Sequence, residues 1–431
     1  MCSPAKEKIG AVGGSYCFFA DICRMINSDS IPVVTVPASK SISNRLLLLR
    51  RTALPGLRIA SLSDADDTLR LRRLLMRTLH PSYKSFVDLD VGNCGTAFRF
   101  LLPYLAQLPG RWRLVGDERL AHRPIRPLVE LLRGWGAEIA LPGNGSLPVE
   151  ITGSQLLHPR SEWVDVSESS QFLSALLLTA PVWGKRLCFR YDRDSSSASY
   201  LRMTVGLMRS LGFPLRDGPG LVEYNPPVAG SCRRYWRVDG DWSSAAFWWA
   251  WTALQEPHSA LYVSGLAESG LQPDACIHRL LSTWGLHTTF SFGGAFVEKV
   301  YPLQLPEHFR MDARNCIDLV PLMSVLCLLL RVPCTFDGVA NLQAKESRRA
   351  DALRVNLQEM ASMTFSEGRL TVLPLWERLP ESCLFRSFGD HRIVMALNLF
   401  SAFTRVRFDD PDAVTKSYPD FWRQFSIVRQ W

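Results

Sequence analysis

One pattern recurs six times along this chain, and it constrains the fold more than any other feature. A short strand-like run leads into a small polar turn, and the turn leads into a strongly apolar helix. The occurrences begin near Val34, Val87, Val164, Trp236, Phe309 and Leu384. Their turns read Ala38-Ser39-Lys40-Ser41, Gly92-Asn93-Cys94-Gly95-Thr96, Ser167-Glu168-Ser169-Ser170-Gln171, Asp239-Gly240-Asp241-Trp242-Ser243-Ser244, Asp312-Ala313-Arg314-Asn315 and Gly389-Asp390-His391-Arg392. The helices that follow, at 46–49, 97–105, 172–179, 245–254, 319–330 and 393–403, are apolar nearly all round, and such helices are buried on every side. More amphipathic helices alternate with them at 66–79, 126–135, 199–211, 273–284 and 346–360. Three of these close on Gly136, Gly212 and Gly285, where a left-handed cap is expected. The repeating unit is strand-helix-strand-helix-strand-strand, of roughly 70 residues, and a repeat of this kind sets architecture before local detail does.

Six units are too many for one layer. The expected fold is a two-domain, inside-out α/β barrel with three βαβαββ units per domain, apolar helices inside and strands outside. The boundary falls near 237–240, with the first strand crossing back. One domain is then 38–240, and the other is 1–37 joined to 241–431. If the buried helices run parallel, their N-termini collect at one end of each domain. Two such ends facing each other make a cleft with a positive field before any side chain is counted. Residues 1–30 show no clean period, although 15–19 reads as a possible strand.

A chain of 431 residues fits roughly two or three domains. Its 47% hydrophobic and 21% charged content is that of a globular protein rather than a disordered one. The longest largely apolar run, 319–330, is too short to span a bilayer, and residues 1–10 lack the apolar core of a signal peptide. The 11 cysteines are odd in number, scattered and without Cys-x-x-Cys spacing, which argues against a disulfide framework or a structural zinc site. Cys188, Cys327 and Cys334 lie in apolar stretches and read as small core residues. A cytoplasmic location is expected. The net charge of +8 suggests acidic partners without choosing among them.

The polar turns carry the candidate chemistry. Lys40 sits beside the free N–H groups of a helix start, an arrangement that favours an anion, with Arg45 one turn on; an ordinary serine-capped helix gives the same pattern. Gly95 allows close backbone approach beside Asn93 and Thr96. Arg123 precedes a helix that opens near Pro124. Ser169, Ser170 and Gln171 form a triple of donors, and Ser197 and Tyr200 flank the next helix start. Asp318 stands at the mouth of the most apolar helix, where burial is expected to raise its pKa and suit it to base work. Asn341, Lys345, Glu346 and Arg349 cluster at a helix start; His391 and Arg392 open the last buried helix; Lys416 lies in a loop. Seven cations (Lys40, Arg45, Arg123, Lys345, Arg349, Arg392 and Lys416) around two carboxylates fit a substrate with several negative charges, phosphate and carboxylate being the natural groups. The absence of a Walker loop or a dinucleotide fingerprint points to a small metabolite rather than a nucleotide.

Taken in order, Lys-Ser-x-Ser-Asn-Arg at 40–45, Asn-x-Gly-Thr at 93–96, Arg-Pro-Ile at 123–125, Ser-Ser-Gln at 169–171, Lys-Glu-Ser at 345–347 and Asp-His-Arg at 390–392 resemble the 5-enolpyruvylshikimate-3-phosphate (EPSP) synthases. The resemblance runs from Pro37 to about Phe421. It implies two halves of three similar units that close over the substrates, shikimate 3-phosphate and phosphoenolpyruvate. It implies shikimate 3-phosphate on Lys40, Ser41, Arg45, Ser169, Ser170, Gln171, Ser197, Asp318, Asn341 and Lys345, and phosphoenolpyruvate on Lys40, Gly95, Arg123, Gln171, Arg349, Arg392 and Lys416. Asn93, Thr96, Tyr200 and His391 complete the expected substrate site. Asp318 would take the hydroxyl proton, Glu346 would deliver and later remove one at the methylene carbon, and Lys40 would assist phosphate departure. No metal and no cofactor is implied, and the closing cleft needs only a monomer. The chain departs from the family at Ala38, where Gly is usual, at Phe100, where Pro is common, and at Arg348, where Asp is usual; the last puts the orientation of Arg349 in question. The helix containing Phe247-Trp248-Trp249-Ala250-Trp251 is bulky for a buried one.

Three rivals remain. The related UDP-N-acetylglucosamine enolpyruvyl transferases carry a reactive cysteine in the loop that here spans 116–123 without one. A nucleic-acid-binding protein would want a basic stripe interleaved with aromatics, whereas these cations are dispersed. A non-catalytic anion-binding relative is suggested by Arg348.

Overall fold

The computed structural model describes residues 31–143, 146–192, 198–268 and 270–429. The possible strand at 15–19 lies outside them. Each repeat unit supplies one inner and one outer helix. In chain order the first half contains β1 (Val33–Thr35), α1 (Lys40–Thr52), β2 (Arg58–Ala60), α2 (Asp66–Arg77), β3 (Val87–Gly92), α3 (Gly95–Gln107), β4 (Gly110–Gly116), α4 (Arg126–Gly134), β5 (Glu138–Ala140), β6 (Val149–Gly153), β7 (Glu162–Trp163), α5 (Gln171–Trp183), β8 (Leu187–Arg190), α6 (Ala198–Ser210), β9 (Leu215–Gly218), β10 (Leu221–Tyr224) and β11 (Tyr235–Arg237). Then follow α7 (Trp242–Leu254), β12 (Ser259–Ser264), α8 (Cys276–Ser282), β13 (Leu286–Ser291), β14 (Gly294–Lys299), β15 (Phe309–Asp312), α9 (Val320–Leu329), β16 (Cys334–Asp337), α10 (Arg349–Leu357), β17 (Ala361–Ser366), β18 (Arg369–Pro374), β19 (Ser382–Phe385), α11 (His391–Leu397), β20 (Arg405–Phe408) and α12 (Phe421–Arg429).

The odd-numbered helices are the buried ones. In α3 every residue from Ala97 to Ala106 is buried, and in α9 every residue is. Two cores result. One runs from Ile42 to Val238, and the other gathers Val34, Val36 and the apolar side chains from Trp242 to Val428. The aromatic load of α7 is accommodated by aromatic neighbours. Phe247 and Trp251 meet Phe421 and Phe425 of α12 edge to face, and Trp249 Nε1 donates to Thr288 Oγ1 at 3.0 Å. Such edge-on pairs add to the burial of the rings themselves.

Four sheets of four strands repeat one topology, a parallel pair followed by an antiparallel hairpin, as in β3-β4-β6-β5 and β15-β16-β18-β17. One unit in each half is shorter, the first along the chain in the first half and the last in the second. Among the described residues its sheet is the parallel pair alone, β11-β2 or β19-β20, since no closing hairpin follows α2 or α12. The strands of the exchanged units come from opposite ends of the first half. β1 pairs in parallel with β12 of the second half, and β11 pairs in parallel with β2 of the first. The chain therefore passes between cores twice, side by side. Ser39 N donates to Asp239 O at 2.8 Å, and Asp241 N donates to Pro37 O at 2.8 Å. Gly240 is required at this crossing, since a Cβ there would stand 2.7 Å from Gly265 O.

Two local expectations change. The last buried helix stops at Leu397 and tightens into a 3-10 turn at Asn398–Ala402. The helix expected from 346 starts only at Arg349, because Lys345 is extended and residues 345–347 turn toward the cleft. Gly136, Gly212 and Gly285 have φ of 95°, 98° and 108°, the left-handed caps expected. Cys327 and Cys334 are fully buried, whereas Cys188 is only partly so, because it lies on the outer sheet β8. No helix among the described residues is long and apolar enough to cross a membrane.

Candidate active site

The inner helices begin around one cavity between the two cores. Its wall includes Lys40 and Ser41 of α1, Gly95 and Thr96 of α3, Ser170 and Gln171 of α5, Asp318 just before α9 and Arg392 of α11. The start of α7 lies one layer behind, where Ser243 and Ser244 face Asp318, His391 and Arg392. The cavity, about 90 Å³, opens into a cleft of about 1310 Å³ that shares Arg123, Lys345 and Glu346 with it. Helix N-termini bring unsatisfied N–H groups and the positive ends of their dipoles, so the field in this cavity favours anions.

At the cavity the first half contributes three buried arginines that make no salt bridge among the described residues. Arg45, buried in α1, donates Nε to Thr204 Oγ1 at 2.8 Å, Nη1 to Ser41 O at 2.9 Å and Nη2 to Tyr200 O at 3.0 Å. Burial lowers its pKa to about 10. Arg99 donates Nη1 to Gln171 Oε1 at 3.0 Å, and burial with Arg123 nearby lowers its pKa to about 9. Arg123 is 6% exposed, and its Nε and Nη2 have no partner among the described residues. A buried charge that lacks an opposite charge is expensive. Three buried arginines without a salt bridge around one cavity mark a place built to receive an anion. Lys40 is paired with Asp67 Oδ2 at 3.2 Å; burial works against its charge, but Asp67 and Glu346 hold its pKa above the usual value.

The second half contributes an ion-pair network. Arg349, 1% exposed, donates Nη1 to Asp318 Oδ1 at 2.7 Å, Nη2 to Glu346 Oε2 at 2.5 Å and Nε to Asp390 Oδ2 at 2.8 Å. Asp318 is also held by Lys345 Nζ at 3.4 Å, Arg392 Nη2 at 3.0 Å and, across the cleft, Tyr200 Oη at 2.5 Å. Burial alone would raise the Asp318 pKa, but Arg392, Lys345 and Arg349 hold it well below the usual carboxylate range. This corrects the expectation of a raised pKa, which considered burial without the cations that other segments bring. Glu346 behaves likewise: burial opposes its charge, but Arg349, Arg123 and Lys416 hold its pKa well below 4.5. Burial, with Lys40 and Arg392 adding to it, keeps His391 neutral, well below 6.5. Lys416 reaches across to Asn93 O at 3.1 Å, and Thr415 Oγ1 donates to Asp66 Oδ2 at 2.6 Å, so the halves are closed on each other.

Most of the residues expected at the site meet here. Lys40, Ser41, Arg45, Gly95, Thr96, Arg123, Ser169, Ser170, Gln171, Tyr200, Asp318, Asn341, Lys345, Glu346 and Arg392 line the cavity. Ser170 holds the N-cap position of α5, but its hydroxyl makes no cap bond, and the 3% exposed side chain faces the cavity instead. Arg349 stands behind the wall, gripping Asp318 and Glu346. Arg348 points outward and pairs with Asp351 at 3.0 Å, leaving Asp390 as the carboxylate on Arg349 Nε. Asn93 and Lys416 close the rim, and Ser197 lies outside the described residues. The picture of two carboxylates was too sparse. Asp67, Glu168, Asp274 and Asp390 also belong to the site or its backing, as does Arg99. Their one sequence signal is a charge next to an inner or outer helix start, which many surface residues share.

Residues 30–425 match the family model described as EPSP synthase (3-phosphoshikimate 1-carboxyvinyltransferase). The chain is similar to the 3-phosphoshikimate 1-carboxyvinyltransferase of Bacteroides fragilis strain YCH46, at 30% identity over 401 residues covering 90% of this chain and 93% of that protein. It is also similar to the protein of the same name from Dehalococcoides mccartyi, at 30% over 415 residues, covering 92% and 95%. Among solved structures, EPSP synthase from Acinetobacter baumannii superposes with a TM-score of 0.67 at 20% identity, covering 92% and 96%. The enolpyruvyl transferase NikO from Streptomyces tendae gives 0.64 at 17%, covering 92% and 94%. These two likenesses show the fold.

Proposed function

The chain belongs to the EPSP synthase family, and from that membership we propose how its residues divide the work. The reaction is transfer of the enolpyruvyl group of phosphoenolpyruvate to the 5-hydroxyl of shikimate 3-phosphate with release of phosphate, in the route to the aromatic amino acids. Residues 38–240 and 241–431, the latter joined by the strand before 38, act as two domains that close over the substrates. Lys345, Arg45, Ser169, Ser170 and Gln171 hold shikimate 3-phosphate; Arg123, Arg392, Lys416 and the Gly95 backbone hold phosphoenolpyruvate.

In the addition step the 5-hydroxyl oxygen bonds to the enol carbon. Its proton goes to Asp318, and Glu346 gives a proton to the methylene carbon, which becomes a methyl group. In the elimination step Glu346 takes a methyl proton back and the carbon–oxygen bond to phosphate breaks, with Lys40 stabilising the departing anion; the phosphate leaves with the proton that Asp318 had accepted, which returns Asp318 to its ionised form. Both carboxylates are held ionised while their cations face them. Substrate anions on Lys345, Arg392 and Arg123 neutralise those cations, which raises both carboxylate pKa values at the moment proton transfer needs it. The mechanism asks for nothing from a second subunit, and the proposed state is a monomer. The free cysteines support a cytoplasmic location.

The observation that carries this reading is the trio of buried arginines (Arg45, Arg99 and Arg123) that line the cavity with Asp318 and Glu346, two nitrogens of Arg123 having no partner among the described residues. The test is phosphate release with both substrates. Turnover in the wild type and near-complete loss in Glu346→Ala support it. Anion binding without turnover in the wild type favours the non-catalytic relative.

A further inference from the structure

Arg392 is gripped from two sides. Asp318 Oδ2 lies 3.0 Å from its Nη2, and Asp274 Oδ2 lies 3.7 Å from its Nη1. Asp274 is 1% exposed and follows Gln272, whose amide donates Nε2 to Gly240 O at 2.8 Å and whose Oε1 accepts from Trp242 N at 3.0 Å. The segment 272–274 is thereby pinned to the crossing between the halves and to the start of α7. The Ser243 hydroxyl, also at that start, donates to Asp274 Oδ2. The other carboxylate oxygen, Oδ1, is buried and has no partner among the described residues. A half-satisfied buried carboxylate is costly unless it does something for its neighbour.

We propose that Asp274 is a positioning residue for phosphoenolpyruvate binding: with Ser243 fixing its rotamer, it holds Arg392 flat against the cavity wall so that the guanidinium stays aimed at the incoming anion. Asp318 alone does not suffice, because it must release part of its hold on Arg392 when it accepts a proton. Asp274 stays behind the guanidinium, out of the cavity, and keeps its grip throughout. The groups facing Asp274 are Arg392 from α11, Cys316 and Asp318 before α9, Asp241 and Ser243 at the start of α7, and Tyr200 of α6. Burial raises the Asp274 pKa to about 6; Arg392 and the Ser243 hydroxyl pull it down, and Asp318 and Asp241 push it up. The hold on Arg392 therefore needs pH above about 6.

The inference rests on reading Arg392 as a phosphoenolpyruvate ligand, so the experiment carries Arg392→Ala as a control. Steady-state kcat/KM for phosphoenolpyruvate is measured across pH for the wild type and Asp274→Asn. Taking the ratio of the two cancels the ionisation of the substrates. The expected ratio is about tenfold in favour of the wild type above pH 7.5, carried by KM rather than kcat, and it falls toward one below about pH 5.5, where the wild-type carboxyl is also neutral. Ser243→Ala shifts the midpoint of that fall to higher pH, since the lost hydrogen bond favoured the charged form. A ratio that does not change with pH, or no loss in Asp274→Asn, overturns the inference. If Arg392→Ala leaves KM for phosphoenolpyruvate unchanged, the site reading itself fails instead.

Discussion

At Gly95 a single missing atom makes room for a charge. A Cβ there would lie 2.5 Å from Arg123 Nη1, so Gly95→Ala must push the guanidinium aside. Displacements of this size commonly cost on the order of 10- to 100-fold. The expected result is a rise of that order in KM for phosphoenolpyruvate, with the affinity for shikimate 3-phosphate measured by calorimetry nearly unchanged. Glu346→Ala removes the group assigned to the methylene proton, and kcat should fall by roughly 100- to 10 000-fold while the thermal midpoint stays close to that of the wild type. The residue scale is also where sequence legibility was uneven. Lys40, Gln171 and Arg392 were readable because each sits at the start of an apolar helix. Asp67, Asp274 and Asp390 carry the same local signal as any solvated carboxylate, and only their long-range partners Lys40, Arg392 and Arg349 give them meaning. The expected pKa direction at Asp318 failed for the same reason: burial is visible in a run of apolar residues, while convergent cations from 345, 349 and 392 are not.

At the scale of elements, the inner helices were legible as existing, apolar and buried. Their capping varies. Asp241 Oδ1 accepts from Ser244 N at 2.8 Å at α7, Asp390 Oδ1 accepts from Arg392 N at 3.0 Å at α11, and α5 and α9 begin without a side-chain cap. Uncapped starts facing the cavity leave N–H groups for a ligand. The strand partners were less legible. That Val33–Thr35 would pair with Ser259–Ser264, more than two hundred positions away, depends on where the whole second half folds. The tryptophans of α7 test the packing. Trp248 is fully buried, and Trp248→Ala should cost about 3–5 kcal/mol in denaturant unfolding, provided the neighbouring rings do not collapse into the space.

Across the whole molecule the two halves are held shut by a few polar links over the cavity. Tyr200 Oη to Asp318 is the most buried of them, and it is charge-assisted. Tyr200→Phe should weaken shikimate 3-phosphate binding by about 10- to 100-fold in calorimetry, since closing then loses a bond on the order of 1.5–3 kcal/mol. Stability follows pH with a definite sign. Asp318 and Glu346 have folded pKa values well below their usual 3.8 and 4.5, so their contribution is present above about pH 4.5 and is lost as pH falls through the folded values. Thermal scans should show the midpoint dropping below pH 4, and less steeply in Glu346→Gln than in the wild type.

The central claim is that cations from both halves converge on one anionic reactant. The measurement that reaches it most directly is phosphate release at subsaturating phosphoenolpyruvate in two variants, Arg123→Ala from the first half and Arg392→Ala from the second. Convergence predicts that each alone lowers kcat/KM for phosphoenolpyruvate by about 100-fold or more, the loss expected when a buried charged contact is removed. Wild-type kcat/KM in either variant would contradict it.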